Sequence, residues 1–373
     1  MRFAFCLFKY FPFGGLQRDF LRIATECAQR GHQVDVYTQQ WEGEKPSTIS
    51  VHLIPAIGWQ NHIRNKNYII QLKTLLAEQH YDLVVGFNKM PGLDVYFAAD
   101  TCFQAKVNAQ HGPWYKLTPR YRYYVAAEKM VFAQHAKTKL LLISPKQQAE
   151  FEHYYQTESD RFYLLPPGIS KDRIAPGNAA EIRLTTRAEL NLSAQQLLLL
   201  CVGSGFKTKG LDRVLIGIAK LPREIKQRVK LIIIGEDRVL PFRRQAKRLG
   251  ILQQIEFLGG RNDVPRFLLA ADVLLHPAYN ENTGTVLLEA AVSGLPVLTT
   301  DVCGYADYIK TAQVGIVLPS PFQQARFNQA LADMLLSSED RKHWQQNGLA
   351  FANQADIYSM AKHAADIIES LAP

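Results

Sequence analysis

The stretch HPAYNENTGTVLLEAAVSG, residues 276–294, reads as the end of a strand, a loop and a helix. The apolar run over 271–275 predicts a buried strand leading in. Residues 276–282 form a loop with Pro277 near its start. Asn282 or Thr283 then caps a helix that carries Leu287, Leu288, Ala290 and Ala291 and stops at Gly294, ahead of Pro296. Glu281 and Glu289 frame the helix start with seven residues between them. The first lies on the loop and the second about one and a half turns inside the helix. Free N–H groups and the partial positive charge of a helix start suit a diphosphate. Carboxylates on either side accept hydrogen bonds from sugar hydroxyls. Asn282, Thr283, Gly284 and Thr285, at the start itself, complete a candidate site for a sugar nucleotide. Two Glu at this spacing also occur as plain solvated helix carboxylates; the flanking strand, loop and Gly-Pro pattern favour the site.

The pair is followed by AAVSGLPVLTTDVCG and preceded by LGGRNDVPRFLLAADVLLHP (258–277). With these flanks it resembles the retaining, nucleotide-sugar-dependent glycosyltransferases of the GT-B fold. The resemblance implies an α/β protein of two Rossmann-like, doubly wound domains facing across a cleft. It gives Glu281 the hydroxyls of the donated sugar and Glu289 the ribose diol.

Composition agrees with two ordinary domains: 373 residues, 47% hydrophobic. The apolar runs at 197–202 and 231–234 are far too short to cross a bilayer. MRFAFCLFKYFPFGG at the N-terminus is broken by Lys9 and Pro12 and lacks a small-residue cleavage site, so it is expected to be the first strand of a cytoplasmic protein. Five scattered cysteines without a C-x-x-C predict reduced thiols. The net charge of +9 admits nucleic acid, an anionic membrane or an anionic substrate as partner.

From the N-terminus, a strand, Gly14-Gly15, a helix ending at Gly31 and a strand over 33–38 open a doubly wound domain. The glycine pair is either a plain tight turn or a close approach to a ligand. In the resembled family the matching loop faces the diphosphate and the acceptor, which gives Gly15 and Asp19 that role. Further strands are expected at 49–54, 82–86 and 95–99, with a helix over 66–79. Asp100 follows the last of these strands, where open α/β sheets place ligands. The resemblance has it bind a sugar hydroxyl or receive the acceptor proton; an Asp capping the next turn fits as well.

Residues 103–132 hold five Lys/Arg, seven aromatics and one acid, Glu128. Extended to Lys146 the basic residues rise to eight against the same single acid. Rings interleaved with cations suit an anionic bilayer surface. An ordinary basic face, or a single-strand nucleic-acid surface, carries the same composition.

The Pro- and Gly-rich segment 166–178 is the expected linker. The domains then read 1–168, joined by a crossing helix over 356–373, and 169–355. Arg173, just past the crossing, is placed to reach a phosphate. The strand 197–202 ends in GSGFKTKG (203–210), a glycine-rich loop with Lys207 and Lys209 that suggests phosphate binding without Walker A spacing. It resembles the family's G-R-x-x-x-x-K-G, with Ser204 where an Arg is usual, so Arg173 is the candidate second cation. Arg261, after the strand 255–259, either borders the nucleotide base, as in the family, or is a surface residue.

No D-x-D occurs in the chain and no His/Cys cluster has metal-ligand spacing. A metal is not implied, and Lys209, Arg173 and helix starts would neutralise a leaving diphosphate. Over its whole length the chain resembles the lipopolysaccharide core glucosyltransferases. That implies UDP-glucose as donor, an inner-core heptose acceptor, no nucleic acid, a monomer, and a peripheral position on the cytoplasmic side of the inner membrane. The open alternatives are another retaining UDP-hexose transferase, for capsule, teichoic acid or glycolipid, and a non-catalytic membrane- or nucleic-acid-binding α/β protein.

Overall fold

Two all-parallel sheets organise the chain in a computed structural model, which describes residues 1–12, 14–55, 57–110 and 112–373. The chain divides into one unit of Met1–Gly168 with Tyr358–Pro373, and a second of Ile169–Ile357.

In the first unit, β1 (Arg2–Cys6), β2 (Gln33–Thr38), β3 (Ser50–Leu53), β4 (Leu83–Gly86), β5 (Val95–Ala98), β6 (Lys139–Leu142) and β7 (Phe162–Leu164) pair in the order β3-β2-β1-β4-β5-β6-β7. The strands feed two cores, one on each face. Phe3 and Phe5 of β1 enter one, Ala4 and Cys6 the other. Such two-sided burial is why parallel strands read as unbroken apolar runs. Helix α1 (Gly15–Gln29) buries Phe20, Ile23, Ala24 and Cys27 at i, i+3, i+4 and i+7.

Next come α2 (Asn61–Ala77), α3 (Phe103–Gln110), a 3₁₀ turn at Pro113–Leu117 and α4 (Pro119–Phe132). The stretch 103–132 is therefore helical and partly internal. Phe132 is buried and stacks on Phe151 at 3.6 Å, while Trp114 is 81% exposed. Not all seven rings lie on a surface, because α4 must bury one side to stay on the sheet. Glu128, on that side, is fully buried. It receives Lys89, the backbone N–H groups of Phe103 (2.8 Å) and Gln104 (3.0 Å), and the Tyr155 hydroxyl (2.6 Å). His111 lies outside the described residues.

In the second unit, β8 (Leu197–Val202), β9 (Val229–Ile234), β10 (Ile255–Gly259), β11 (Val273–His276), β12 (Val297–Thr300) and β13 (Gly315–Leu318) run β10-β9-β8-β11-β12-β13. The order reverses between β8 and β11, the crevice position where open α/β sheets bind ligands. Leu197 and Leu199 enter one core, Leu198 and Leu200 the other. The helices that matter for the site are α5 (Leu211–Lys220) and α6 (Thr285–Val292).

The last helix, α7 (Met360–Leu371), packs on α1, burying Met360, Ala364, Ala365 and Ile368. Arg30 bridges Asp366 at 2.6 Å and Glu369 at 2.9 Å. The helix expected from residue 356 begins four residues later. The carbonyl of Ile357 accepts the Ile169 N–H at 2.9 Å, which keeps Ile357 with the second unit.

Candidate functional site

Three loops leave the C-terminal ends of adjacent strands in the second unit: 203–210 after β8, 277–284 after β11 and 301–305 after β12. The Tyr279 N–H donates to the Thr208 carbonyl at 2.8 Å, which ties the first loop to the second. Gly210 lets them meet. Its φ is +80°, and a Cβ there would run into the Pro277 carbonyl. Around this seam Lys207 Nζ and the Tyr279 hydroxyl reach Asp212 at 2.6 and 2.8 Å. Arg213 lies over the Tyr279 ring at 3.5 Å and donates to the carbonyls of Pro277 and Ala278. The third loop joins through a parallel bridge between Glu281 and Cys303 and through the Tyr305 N–H on the Thr283 carbonyl at 2.8 Å.

The seam sets two charges against each other: Lys209 and Glu281 form an ion pair. Burial lowers the Lys209 ammonium to about 8, so it is cationic at neutral pH. His276, at the end of β11, points Nε2 at the same Glu281 oxygen at 3.3 Å. Burial, helped by the nearby Lys209 charge, brings this histidine down to about 3. It is neutral, and donates Nε2–H to the carboxylate. A small cavity of about 10 Å³ lies beside Lys209 and His276, lined also by Gly203, Phe206 and Leu275.

Helix α6 starts one residue beyond Gly284, whose φ is +78°, and no side-chain hydrogen bond caps it. The expected cap at Asn282 or Thr283 is thus corrected. The left-handed turn that carries the loop into the helix needs a glycine, and the Thr283 carbonyl is taken by Tyr305. Glu289, in the second turn, is 5% exposed. Arg173 Nε lies 3.8 Å from it and 3.5 Å from Asp172. Among the described residues Arg173 Nε and Nη1 are buried with no hydrogen-bond partner. This donor pair can serve an incoming anion.

The remaining candidates fall elsewhere. Ser204, in the place of the family's Arg, accepts the Glu236 N–H at 3.1 Å and so ties the turn. Arg261 makes two 2.7 Å hydrogen bonds to Asp263 and lies over Phe267 at 5.2 Å; its guanidinium is committed locally. In the first unit Gly15 opens α1 after β1, Asp19 is 3.9 Å from Arg22, and Asp100 is exposed just beyond β5. All three stand at the C-terminal side of that sheet. Among the described residues no group of three or more His, Cys, Asp or Glu is arranged to hold a metal ion. No helix there is long and apolar enough to cross a membrane. From the sequence His276 reads as the first loop residue, whereas it ends β11, and Lys207 reads as a phosphate ligand, whereas it is engaged by Asp212 and Tyr279; the roles of Asp212, Tyr279 and Arg213 were not foreseen. A polar residue closing an apolar strand was the available signal for the first.

Residues 183–351 match the family model for glycosyl transferases group 1, and 13–173 that for glycosyltransferase family 4. The chain is 48% identical over 365 residues to lipopolysaccharide glucosyltransferase WaaG of Escherichia coli strain K12, covering 98% of each. The chain belongs to the GT-B glycosyltransferases. The crystal structure of WaaG, a glycosyltransferase involved in lipopolysaccharide biosynthesis, superposes on this glycosyltransferase with a TM-score of 0.94, covering 98% of this chain and 99% of that one. Anabaena HepE in complex with UDP-glucose shares the fold at a TM-score of 0.75 and 18% identity, covering 99% of this chain and 100% of that one. A D-inositol 3-phosphate glycosyltransferase of Stackebrandtia nassauensis is 24% identical, over 82% of this chain and 75% of that protein.

Proposed function

We propose that this glycosyltransferase transfers glucose from UDP-glucose, with retention and in α-1,3 linkage, to the inner-core heptose of lipopolysaccharide, and that it needs no metal. The observation that carries the reading is the Lys209–Glu281 pair at the switch point of the second sheet. It sits one loop ahead of a helix start and of the buried Arg173–Glu289 pair. Likeness to the Escherichia coli glucosyltransferase over nearly the full chain supports the substrates.

In this reading the donor diphosphate takes Lys209 over from Glu281 and receives Arg173 and the α6 N–H groups, Thr285 among them. Glu281, released, accepts hydroxyls of the glucose, still oriented by His276. Glu289 accepts the ribose diol. The bond from the anomeric carbon to the diphosphate breaks through an oxocarbenium-like state. The acceptor oxygen bonds to the same face, and its proton passes to the departing phosphate oxygen. Stabilising the developing diphosphate charge is the largest contribution of the site. For the acceptor, the reading assigns hydroxyl contacts to Asp19 and Asp100 and backbone contact to Gly15. The basic surface of 103–132 holds the enzyme as a peripheral protein on the anionic cytoplasmic leaflet. Exposed Trp114 and Lys116 support that assignment.

A panel of UDP-sugars against truncated lipopolysaccharides and against capsule, teichoic-acid and glycolipid acceptors tests the reading. Glucose transfer to a heptose-terminated core is the expected result. Transfer only of another hexose, or only to another acceptor, overturns it.

A further inference from the structure

A second exposed apolar surface lies outside 103–132. The turn before α2 presents Ile57, 68% exposed, and Trp59, fully exposed. Along α2 itself Ile63, Lys66, Ile70 and Lys73 are exposed at intervals of three, four and three residues, which is one helix face. The opposite face buries Asn65, Tyr68 and Leu72. A core-facing helix hides its isoleucines; this one points two of them outward between lysines. The segment that carries this face adds positive charge only. From Lys45 to Ala77 the chain has four Lys/Arg and no Asp or Glu.

This surface adjoins the basic, aromatic stretch. Helix α2 packs on α4, and the rings of His62 and Tyr123 lie 6.2 Å apart. Trp59 is three residues before His62. Trp114 and Leu117, both exposed, lie just ahead of the start of α4, whose first turns carry Tyr123. The two indoles thus flank one helix–helix contact.

We propose that the turn at 57–59 and the outward face of α2 form a second membrane-contacting element, engaging the same anionic bilayer as 103–132. The proposal rests on the peripheral-membrane reading above and deepens it. Indole and isoleucine enter the headgroup boundary, while Lys66 and Lys73 extend along the surface to meet lipid phosphates. Two patches on one rigid unit bind the same surface with a far higher joint affinity than either alone. A second copy of the chain is a poor occupant, since self-pairing would set this acid-free face against itself.

The full-length protein is tested with vesicles of phosphatidylglycerol and phosphatidylcholine carrying brominated acyl chains. The Trp114→Phe protein is compared with Trp59→Phe/Trp114→Phe, so that the difference in emission belongs to Trp59. Quenching of that difference is expected. The Trp59→Ser/Ile63→Ser/Ile70→Ser protein is expected to partition at least about fivefold more weakly, with its hydrolysis of UDP-glucose in solution unchanged. If the wild type binds vesicles but Trp59 is not quenched and the serine variant partitions normally, this element is refuted while 103–132 keeps its role. If the wild type binds no anionic vesicle, both fall. Loss of self-association in the serine variant, with vesicle binding intact, assigns the face to a second copy and overturns the proposal.

Discussion

The Lys89–Glu128 pair of the first unit and the Lys209–Glu281 pair of the second both set a lysine on a largely buried carboxylate, and the two are built differently. Glu128 has no exposed surface and receives Lys89, two backbone N–H groups and the Tyr155 hydroxyl. Lys89 also donates to the Thr101 carbonyl at 3.1 Å and lies over the rings of Phe132 and Phe151. That carboxylate is satisfied on every side, and it fastens the start of α3 and the body of α4 to the sheet. Glu281 is met by Lys209 and by His276, its side chain retains 12% exposure, and the loops around it end at a helix start. A pair closed by backbone donors is an anchor. A pair with an open side can exchange partners, which a binding site requires.

Removing the closed anchor is expected to have the largest effect. Glu128→Ala strands Lys89 and two N–H groups, which corresponds to ~3–5 kcal/mol for a broken buried pair. Chemical denaturation measures it. The unfolding free energy should fall by that amount, and the 103–132 helices should become sensitive to protease. An unchanged midpoint would erase the contrast between the pairs. Next, changing Lys116, Arg120 and Arg122 together to Gln removes up to about 1 kcal/mol of attraction per residue to anionic lipid. Co-sedimentation with anionic vesicles is expected to weaken by one to two orders of magnitude.

The open pair should respond in kinetics more than in stability. Lys209→Ala and Glu289→Ala are each expected to lower kcat/KM at least tenfold, or ~1.4 kcal/mol. For Lys209→Ala the unfolding free energy should drop by ~1 kcal/mol or less, because His276 and solvent still reach Glu281. Acidity sharpens the point. Burial lowers the folded Lys209 ammonium to about 8, below its ordinary 10.5, and in the proposed mechanism the charged form meets the diphosphate. The kcat/KM profile should therefore fall as pH rises through about 8, and Lys209→Arg should carry the fall to higher pH. Stability runs the other way: between about 8 and 10.5 the unfolded chain binds the extra proton, so this group makes folding more favourable as pH rises. The smallest effect is expected at Arg261. Its Ala variant leaves Asp263 still paired with Arg266 at 2.8 Å, at a partly exposed site, with less than ~1 kcal/mol in stability and little change in UDP affinity. A tenfold loss of affinity would return Arg261 to the nucleotide.

Much of the architecture was legible because parallel strands buried on both faces leave unbroken apolar runs. The strands over 33–38, 197–202, 255–259 and 315–318 stand where the pattern put them. Helix α2 was harder. Its outward Ile63 and Ile70 blur the periodicity, and it begins at Asn61 rather than Lys66. The start of the last helix was misread for a tertiary reason, the backbone bond between Ile169 and Ile357. Within the site, the glycine loop and the paired Glu announced themselves through spacing. The choice between Gly284 and a side-chain cap did not, because it depends on the carbonyl of Thr283 being used by Tyr305. Arg261 carried its own warning, since Asp263 stands two residues on. Lys89 and Glu128 are 39 residues apart, and nothing local links them.

Titration of UDP into the protein by calorimetry, with EDTA and then with magnesium, tests most directly whether a lysine takes the place of a metal at the diphosphate. The expected result is one affinity under both conditions, weakened at least tenfold by Lys209→Ala. Binding that disappears with EDTA, or a Lys209→Ala protein that binds UDP as tightly as the wild type, would contradict it.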